Sequence, residues 1–241
     1  MKNGRETVRH RVALAGRVLD AATGKPLGEA DVVMLTMPAA FEQRLELAAL
    51  RYGGRSEPNK IQLGNVRTGG AQGAAGNGKR GPVTKWDQML ERPDRTQSKP
   101  NGLFYFMDLP DGEYSLRVTM PSMGRRYGKV VAPAKVSRDA EGNTKWVFVR
   151  CALPPTLVRG KVTGPGKEAG VALARVRVKG SGERAFTDAE GQYMLAGIEP
   201  SKTPRTLLVS AQGYRDQAEK FTLPEPGAAK EVLVKLAREN G

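Results

Sequence analysis

Residues 100–119, PNGLFYFMDLPDGEYSLRVT, constrain the possible fold more than any other stretch of the chain. An Asn-Gly pair opens the stretch and an Asp-Gly pair divides it, and both pairs favour tight turns with a positive φ. After each turn, apolar and aromatic residues alternate with other residues at a period of two, at Phe104 and Phe106 and again at Tyr114 and Val118. The stretch therefore predicts a β-hairpin, with Tyr105 on the outer face, within an all-β protein.

A second, shorter version of this pattern, TDAEGQYMLAGIEP, lies at residues 187–200. Each version follows strand-like segments rich in valine, which begin at Gly16 in the first half and at Gly160 in the second. A chain of 241 residues has room for two domains of about 100 residues and an insertion. The sequence thus predicts two tandem β-modules, residues 1–152 and 153–241, joined by a stiff Pro-Pro linker that holds them in a semi-fixed relation.

The order of these segments resembles the carboxypeptidase regulatory-like domain, a transthyretin-like (prealbumin-like) β-sandwich. The signature of that family resembles T-D-x-x-G-x-F/Y followed by L-P-x-G-x-Y, and residues 187–193, TDAEGQY, match its first part. In the first half, residues 96–99, TQSK, replace the Thr-Asp pair, and the remaining positions are matched by Asn101, Gly102, Phe104, Phe106, Leu109, Pro110, Gly112 and Tyr114. The resemblance implies two tandem antiparallel Greek-key β-sandwiches.

The resemblance is specific for the fold and implies only a broad class of function. Similar modules occur as accessory domains in secreted carboxypeptidases, outer-membrane receptors and bacterial multi-protein particles. By this analogy we expect a non-enzymatic structural or adaptor subunit of a larger bacterial assembly, for example a contractile injection or phage-tail-like particle. The alternative is a free polyanion- or glycan-binding module.

One insertion distinguishes the first module from the second. From Gly16 to Gly102 the first module spans 86 residues, whereas from the corresponding Gly160 to Gly191 the second spans only 31. The first module therefore carries 55 additional residues, at about 38–99. Within this insertion, Phe41, Leu45 and residues 47–50 recur at helical spacing after Pro38. The spacing predicts one short amphipathic helix.

The rest of the insertion has a different composition. Residues 53–82 are too rich in glycine and too poor in apolar residues to pack by themselves. We therefore expect a protease-sensitive arm that becomes ordered only against a partner. An apolar cluster at Trp86, Met89 and Leu90 predicts a helical turn before the chain returns to the sandwich.

The positive charge of the chain is concentrated in the first module. The formal net charge is +14 and the pI is 10.1, and residues 51–100 alone hold ten Lys and Arg against four Asp and Glu. Such a basic arm favours protein subunits with acidic surfaces as partners, whereas no helix-turn-helix or zinc-finger motif supports nucleic-acid recognition. The residues expected to contact the partner are Arg51, Arg55, Ile61, Leu63, Arg67, Lys79, Arg80, Trp86, Met89, Arg125 and Arg126.

The sequence predicts no catalytic residue, no metal site and no cofactor. His10 is the single histidine, no G-x-S-x-G motif is present, and the glycine-rich tract lacks the G-K-[ST] ending of a P-loop. Asp188 and Glu190 are too few for a calcium site, and we expect Asp188 to bind backbone amides of its own turn. Cys151, the one cysteine, excludes an intramolecular disulfide and a cysteine-based zinc site, and predicts a small buried residue near a strand end.

The predicted cores follow the alternating residues of each module. The first is expected to contain Val18, Val33, Phe104, Phe106, Tyr114, Val118 and Val147. The second is expected to contain Val162, Val176, Val178, Tyr193, Leu195, Leu208 and Val234.

The apolar run near the N-terminus is too short for the core of a signal peptide or for a membrane span. This favours the cytoplasm, or a particle assembled there, as the location of the protein. An exported protein whose leader has been removed would have the same sequence features.

Overall fold

The computed structural model describes residues 10–52, 85–89, 91–166 and 169–239, which form two β-sandwiches and confirm the predicted all-β class. The first sandwich contains β1 (Val12–Asp20), β2 (Asp31–Thr36), β3 (Arg95–Gln97), β4 (Leu103–Met107), β5 (Gly112–Thr119), β6 (Val130–Arg138), β7 (Thr144–Lys145) and β8 (Val147–Leu153), with the helices α1 (Ala39–Arg51) and α2 (Lys85–Gln88). The second contains β9 (Leu157–Thr163), β10 (Arg175–Val178), β11 (Arg184–Phe186), β12 (Gln192–Ala196), β13 (Ser201–Ser210), β14 (Gln217–Leu223), β15 (Ala229–Glu231) and β16 (Val234–Lys235).

The two sandwiches share one strand order. In the first, the sheets are β4-β1-β8 and β3-β2-β5-β6-β7, and in the second they are β12-β9-β15, with β16 also on β9, and β11-β10-β13-β14. In each, the first strand pairs in parallel with the last, and the other strand pairs are antiparallel, as predicted. Buried side chains form one cluster per sandwich, and the chain passes between the clusters from Leu153 to Val158.

The β-hairpin predicted for residues 100–119 is wrong. Strand β4 pairs with β1 in one sheet, whereas β5 pairs with β2 and β6 in the other. The chain crosses between the sheets at Asp108, which has a φ of 54°. Phe106 and Tyr114 therefore enter one core from different sheets. Alternation identifies the buried face of a strand but not the strand beside it.

Most of the predicted core residues are buried, and three are not. In β2, Val32 and Met34 fill the core and Val33 is half-buried, and the same shift by one residue applies to Leu208 in β13. Val147 packs against the core but is half-buried. In β2 and β13 apolar residues are adjacent, so the sequence does not show which of the two faces is inward.

The loss of the signature threonine in the first half is compensated by Ser98. The Ser98 hydroxyl donates to the carbonyl of Leu27 at 2.7 Å and accepts from the N–H of Ala30 at 3.0 Å. In the second sandwich the Thr187 hydroxyl makes the corresponding two bonds at 2.6 and 2.8 Å. Ser98 thus takes the structural place of the signature threonine.

The helical predictions for the insertion are confirmed in part. Strand β2 leads into α1, which is held on the sandwich by the buried Phe41, whose ring meets Tyr114 edge to face at 6.1 Å. Trp86 lies in the one-turn helix α2. The last part of the predicted insertion belongs to the sandwich, because β3 pairs with β2. The predicted glycine-rich arm and Leu90 lie outside the described residues. No helix in the described ranges is long and apolar enough to cross a membrane.

The buried Thr156 ties the two sandwiches together at the linker. Its N–H donates to the carbonyl of Arg126 in the first sandwich at 2.8 Å, and its hydroxyl accepts from the N–H of Gly227 in the second at 2.8 Å. Gly128 and Gly227 also approach closely, since a Cβ on Gly227 would lie 2.8 Å from the Cα of Gly128. These contacts restrict rotation about the linker.

Candidate interaction surfaces

The outer face of the β4-β1-β8 sheet carries exposed aromatic side chains. Ala15 in β1 pairs with Tyr105 in β4 on one side and with Phe148 in β8 on the other. Tyr105 and Phe148 are each 45% exposed, and Trp146, whose ring meets Phe148 edge to face at 6.5 Å, is 65% exposed. Because Ala15 is small, the row forms a shallow trough between two rings. We call these four residues the aromatic face.

Further apolar and basic side chains border the aromatic face. The exposed Val12 and Met107 pair with each other at one end. At the other end, Arg17 pairs with Leu103 and with Arg150. The Nε of Arg17 donates to a backbone carbonyl, that of residue 101, at 3.0 Å. The trough is therefore apolar along its length and positively charged at one end.

The corresponding face of the second sandwich has a different chemistry. When the two first strands are aligned on Gly16 and Gly160, the row across the sheet consists of Met194, Arg159 and Glu231. This row contains no aromatic residue and carries both signs of charge. The aromatic face is thus specific to the first of the two sandwiches.

Sequence reasoning identified one of the three aromatic residues of the aromatic face and missed two. Tyr105 was expected to point outward, which is confirmed, and Phe104 and Phe106 are buried as expected. Trp146 and Phe148 were not predicted as contact residues. Their signal was the alternation that runs from Trp146, just before β8, through the strand: the exposed Trp146, Phe148 and Arg150 alternate with residues that share parity with the buried Cys151.

A second surface, the helix groove, lies beside α1. It is a depression of about 310 Å³ with Phe41 and Leu45 on its floor and Pro93 on one wall. Arg44 and Arg51, both exposed, lie on its rim. Of the predicted contact residues, Arg51 is therefore available at this surface.

Trp86 and Met89 are engaged within the chain, which limits their predicted contact with a partner. The Trp86 ring stacks on Tyr52 with 6.0 Å between centroids, and the Arg92 guanidinium lies 4.6 Å from its centroid. Arg95 donates to the carbonyl of Met89. Both predicted residues are half-buried and help to hold α2 in place.

Arg125 and Arg126 lie at the junction of the sandwiches. The Nε of Arg126 is 3.7 Å from an Oε atom of Glu199 in the second sandwich. Arg125 lines a cleft of about 430 Å³ together with Lys129 and Glu225. The structure thus separates this pair from Arg51 in the helix groove. The other predicted contact residues, Arg55, Ile61, Leu63, Arg67, Lys79 and Arg80, lie outside the described residues, and their role stays a prediction.

Three titratable residues, Asp188, Cys151 and His10, are engaged within the fold. Asp188 accepts two backbone N–H groups of its own turn at 2.7 and 3.1 Å, as expected. Cys151 is fully buried, as expected, and burial raises the pKa of its thiol to about 11. His10 pairs with Asp108, whose pKa is lowered by the backbone N–H of residue 11 and by His10. Across the described ranges, no three His, Cys, Asp or Glu side chains are grouped so that they could hold a metal ion.

A family model matches the part of the chain that forms the second sandwich, from β9 to β16. Residues 157–237 match the carboxypeptidase regulatory-like domain. This match confirms the resemblance for the second sandwich. It does not extend to the first sandwich, whose assignment as another copy of the family stays a prediction. No curated protein is significantly similar to the chain.

Several solved structures match the chain at low similarity. The shaft pilin SpaA from Lactobacillus rhamnosus GG has a TM-score of 0.36 at 13% identity, over 98% of this chain and 99% of that one. The Bacillus anthracis TIE protein has a TM-score of 0.36 at 13% identity, over 93% of this chain and 34% of that one. A type II cohesin–X-dockerin complex from Acetivibrio cellulolyticus has a TM-score of 0.27 at 17% identity, over 34% of this chain and 56% of that one. The chain thus spans less than two thirds of the cohesin–X-dockerin chain and of the TIE protein. Likeness this weak does not indicate a function.

Proposed function

We propose that the protein is a non-enzymatic structural or adaptor subunit that docks onto other proteins of a larger bacterial assembly. A contractile injection or phage-tail-like particle is one such assembly. The proposal includes a location in the cytoplasm or in a particle assembled there, which cell fractionation with an antibody to the full chain would test.

The aromatic face is the observation that carries this proposal. Tyr105, Phe148 and Trp146 together expose a contiguous apolar surface, and such surfaces on folded proteins are commonly interaction sites. Aromatic side chains are enriched at the centres of protein interfaces, where each can bury roughly 150–250 Å². The equivalent row of the second sandwich has none, so the sandwich core does not require aromatic residues at these positions.

The charge around the face favours a different protein over a second copy of this chain. Arg17 and Arg150 lie side by side at one end of the trough. Two identical faces packed with their troughs parallel would bring these cations together, and in the antiparallel arrangement they would meet the apolar end formed by Val12 and Met107, whereas a partner with acidic residues would pair with them. A chain with a formal net charge of +14 also repels its own copies.

The junction supports a spacer role for the pair of sandwiches. Thr156 bonds to both sandwiches, and Gly128 and Gly227 leave no room for side chains between them. A connection of this kind keeps a docked partner at a defined distance and angle from whatever the second sandwich contacts. The aromatic face and the junction together fit a subunit that connects other proteins.

A free polyanion- or glycan-binding module is the second candidate, because exposed aromatic rings beside arginines also suit sugar rings or nucleotide bases. The two candidates differ in what is retained on the protein. A protein partner survives treatment of the lysate with nuclease and glycosidase, whereas a polyanion or glycan does not. Binding to nucleic acid would also weaken steeply with added salt.

The experiment compares two double variants of the full chain, expressed with a tag in the native cell. Tyr105→Ser with Phe148→Ser removes two of the three rings of the aromatic face, and Phe186→Ser with Met194→Ser removes two exposed apolar side chains of the second sandwich. We expect the wild type and the second variant to elute from gel filtration of a nuclease-treated lysate in a large complex. The first variant should elute as a free protein.

Elution of the wild-type protein as a free monomer in the treated lysate would overturn the proposal. Equal behaviour of the two double variants would remove the aromatic face as its basis. Circular dichroism of both variants must remain that of the wild-type β-protein for the comparison to hold.

A further inference from the structure

Helix α1 presents a stripe of four residues to solvent at the helix groove. Arg44, Leu47, Ala48 and Arg51 all line the groove and occupy positions i, i+3, i+4 and i+7. Residues at this spacing lie on one side of an α-helix, and they form the seam along which two helices pack. Leu47 is 63% exposed, so an apolar side chain lies at the centre of the stripe without a cover in the described part of the chain.

The shape of the groove suits a second helix. Phe41 and Leu45 give it an apolar floor, and Phe41 is fixed by its edge-to-face contact with Tyr114. Ala48 is small, so another backbone can approach α1 closely there. Pro93 is the one described lining residue that does not belong to α1.

The charge at the groove is positive at both ends of the stripe. Glu42 and Glu46 lie on the other side of α1, since at 100° per residue they are turned away from the positions that line the groove. Among the described residues no carboxylate lies within salt-bridge distance of Arg44 or Arg51. Arg44 is held in place, because its Nη1 donates to the carbonyl of Asp108 at 3.3 Å and its guanidinium lies over the Phe41 ring.

We propose that the helix groove binds an amphipathic helix of a partner protein that carries apolar residues opposite Leu47 and Ala48 and two carboxylates seven residues apart. Seven residues of α-helix span about 10.5 Å, so two carboxylates on one face of the partner helix can reach Arg44 and Arg51 together. This inference rests on the proposed function and names the kind of segment by which the assembly holds the first sandwich.

A second copy of the chain does not supply this segment from its described helices. In α1 the acidic residues Glu42 and Glu46 are four residues apart, and α2 is a single turn. A nucleic-acid backbone fits less well, because an apolar floor would remove water from a phosphate without offering it donors. An acidic amphipathic helix can cover the apolar floor and pair with the two arginines on the rim.

The test uses the full chain with a benzophenone amino acid in place of Leu47, expressed in the native cell and activated by light. A charge reversal, Arg44→Glu with Arg51→Glu, is compared with Arg175→Glu and Arg177→Glu, a reversal of the same size on the exposed side of β10. We expect a cross-link to a segment with apolar residues and two Asp or Glu seven positions apart. The first reversal should reduce the cross-link at least tenfold and the second should leave it unchanged, with both proteins folded by circular dichroism.

Changing the two partner carboxylates to arginine should restore the cross-link to the Arg44→Glu, Arg51→Glu protein. A cross-link to nucleic acid, to another copy of this chain or to a segment without paired carboxylates would overturn the inference. So would entry into the large complex without a cross-link, or a failed restoration, and these results would leave the proposed function intact. A protein that is monomeric in the nuclease-treated lysate would instead overturn the proposed function.

Discussion

The two sandwiches have one strand order and two different surfaces. Gly16 in β1 and Gly160 in β9 occupy the same place, and a Cβ on either would collide with backbone, that of Val149 or Val232. The aromatic face and the insertion, by contrast, occur only in the first sandwich. The positions that the two sandwiches share are those on which the packing depends, and the differences lie where the side chains face solvent.

One shared position shows how the same space is filled in two ways. Phe104 covers Gly16 in the first sandwich, and Tyr193 covers Gly160 in the second. The Tyr193 hydroxyl is buried and donates to the carbonyl of Val232 at 2.7 Å. Both rings fill the gap above a glycine, and the tyrosine adds a hydrogen bond to the segment between β15 and β16.

Removing the Phe104 ring from the first sandwich should have the largest effect on stability. Phe104→Ala leaves a cavity above Gly16 and should lower the free energy of unfolding by about 3–5 kcal/mol. Tyr105→Ala, on the outer face of the same strand, should change it by no more than about 0.5 kcal/mol. Urea unfolding followed by tryptophan fluorescence reports on the first sandwich, because both tryptophans of the chain precede β9. Equal losses in the two variants would show that the inward face of β4 has been misassigned.

The hydroxyl groups of Ser98 and Thr187, at corresponding positions, should contribute similarly to the stability of their sandwiches. Ser98→Ala and Thr187→Val each leave a buried N–H and a buried carbonyl without their partner, which should cost about 1–3 kcal/mol per variant. Hydrogen exchange of the Ala30 and Ala174 amides measures each site separately. A loss confined to Thr187→Val would contradict the structural equivalence of Ser98.

Cys151 should give the first sandwich a sensitivity to alkali. Cys151 pairs with Val18, and the equivalent position of the second sandwich is Val234, which pairs with Val162. The folded pKa of the thiol, about 11, lies above its unfolded value of about 8.5. Its contribution to stability is therefore complete below pH of about 8.5 and is lost as the pH rises toward 11.

Replacing the thiol by the side chain found in the second sandwich tests this. In Cys151→Val the free energy of unfolding should fall less between about pH 8.5 and pH 10 than in the wild type, a window that ends where the tyrosines of the unfolded chain, with a pKa of about 10, begin to ionise. Urea titrations of both proteins at these pH values measure the difference. Parallel pH profiles would mean that the thiol does not ionise on unfolding in this range.

The smallest effect on stability is expected from the loss of the Tyr127 hydroxyl, and it should depend on pH in the acidic range. Burial alone would raise the pKa of Asp20, but the Tyr127 hydroxyl, which donates at 2.7 Å, and two backbone N–H groups lower it below its usual value. This carboxylate contributes stability above its unfolded pKa of about 3.9, and the contribution is lost as the pH falls below that value. Tyr127→Phe should cost about 0.5–1.5 kcal/mol at neutral pH and make the loss in acid shallower.

The second sandwich supplies the control for this variant. Gly164 stands where the first sandwich has Asp20, and Tyr214 lies beside it. Tyr214→Phe should therefore leave the acid dependence unchanged. Thermal unfolding of both variants between pH 3 and pH 6, close to the unfolded pKa of Asp, measures this, and a shallower profile in Tyr214→Phe would remove Asp20 as the cause.

Local sequence patterns predicted much of the fold but only part of the candidate site. Alternation and turn residues predicted β4 and β5, helical spacing predicted α1, and a turn aspartate predicted the bonds of Asp188. The outward position of Tyr105 also followed from alternation. Trp146, just before β8, and Phe148 within it showed the same signal, but nothing local connects them to Tyr105.

The sequence alone determined which segments form strands and helices, because turn chemistry and the period of apolar residues are properties of neighbouring residues. Only the tertiary structure decided which strands lie side by side, and so it alone placed β4 and β5 in different sheets and chose the inward face of β2. It also brought Tyr105, Ala15 and Phe148 into one row, although they come from three distant parts of the chain. Strand pairing depends on burying apolar faces from remote segments in a common core, and no local period contains that information.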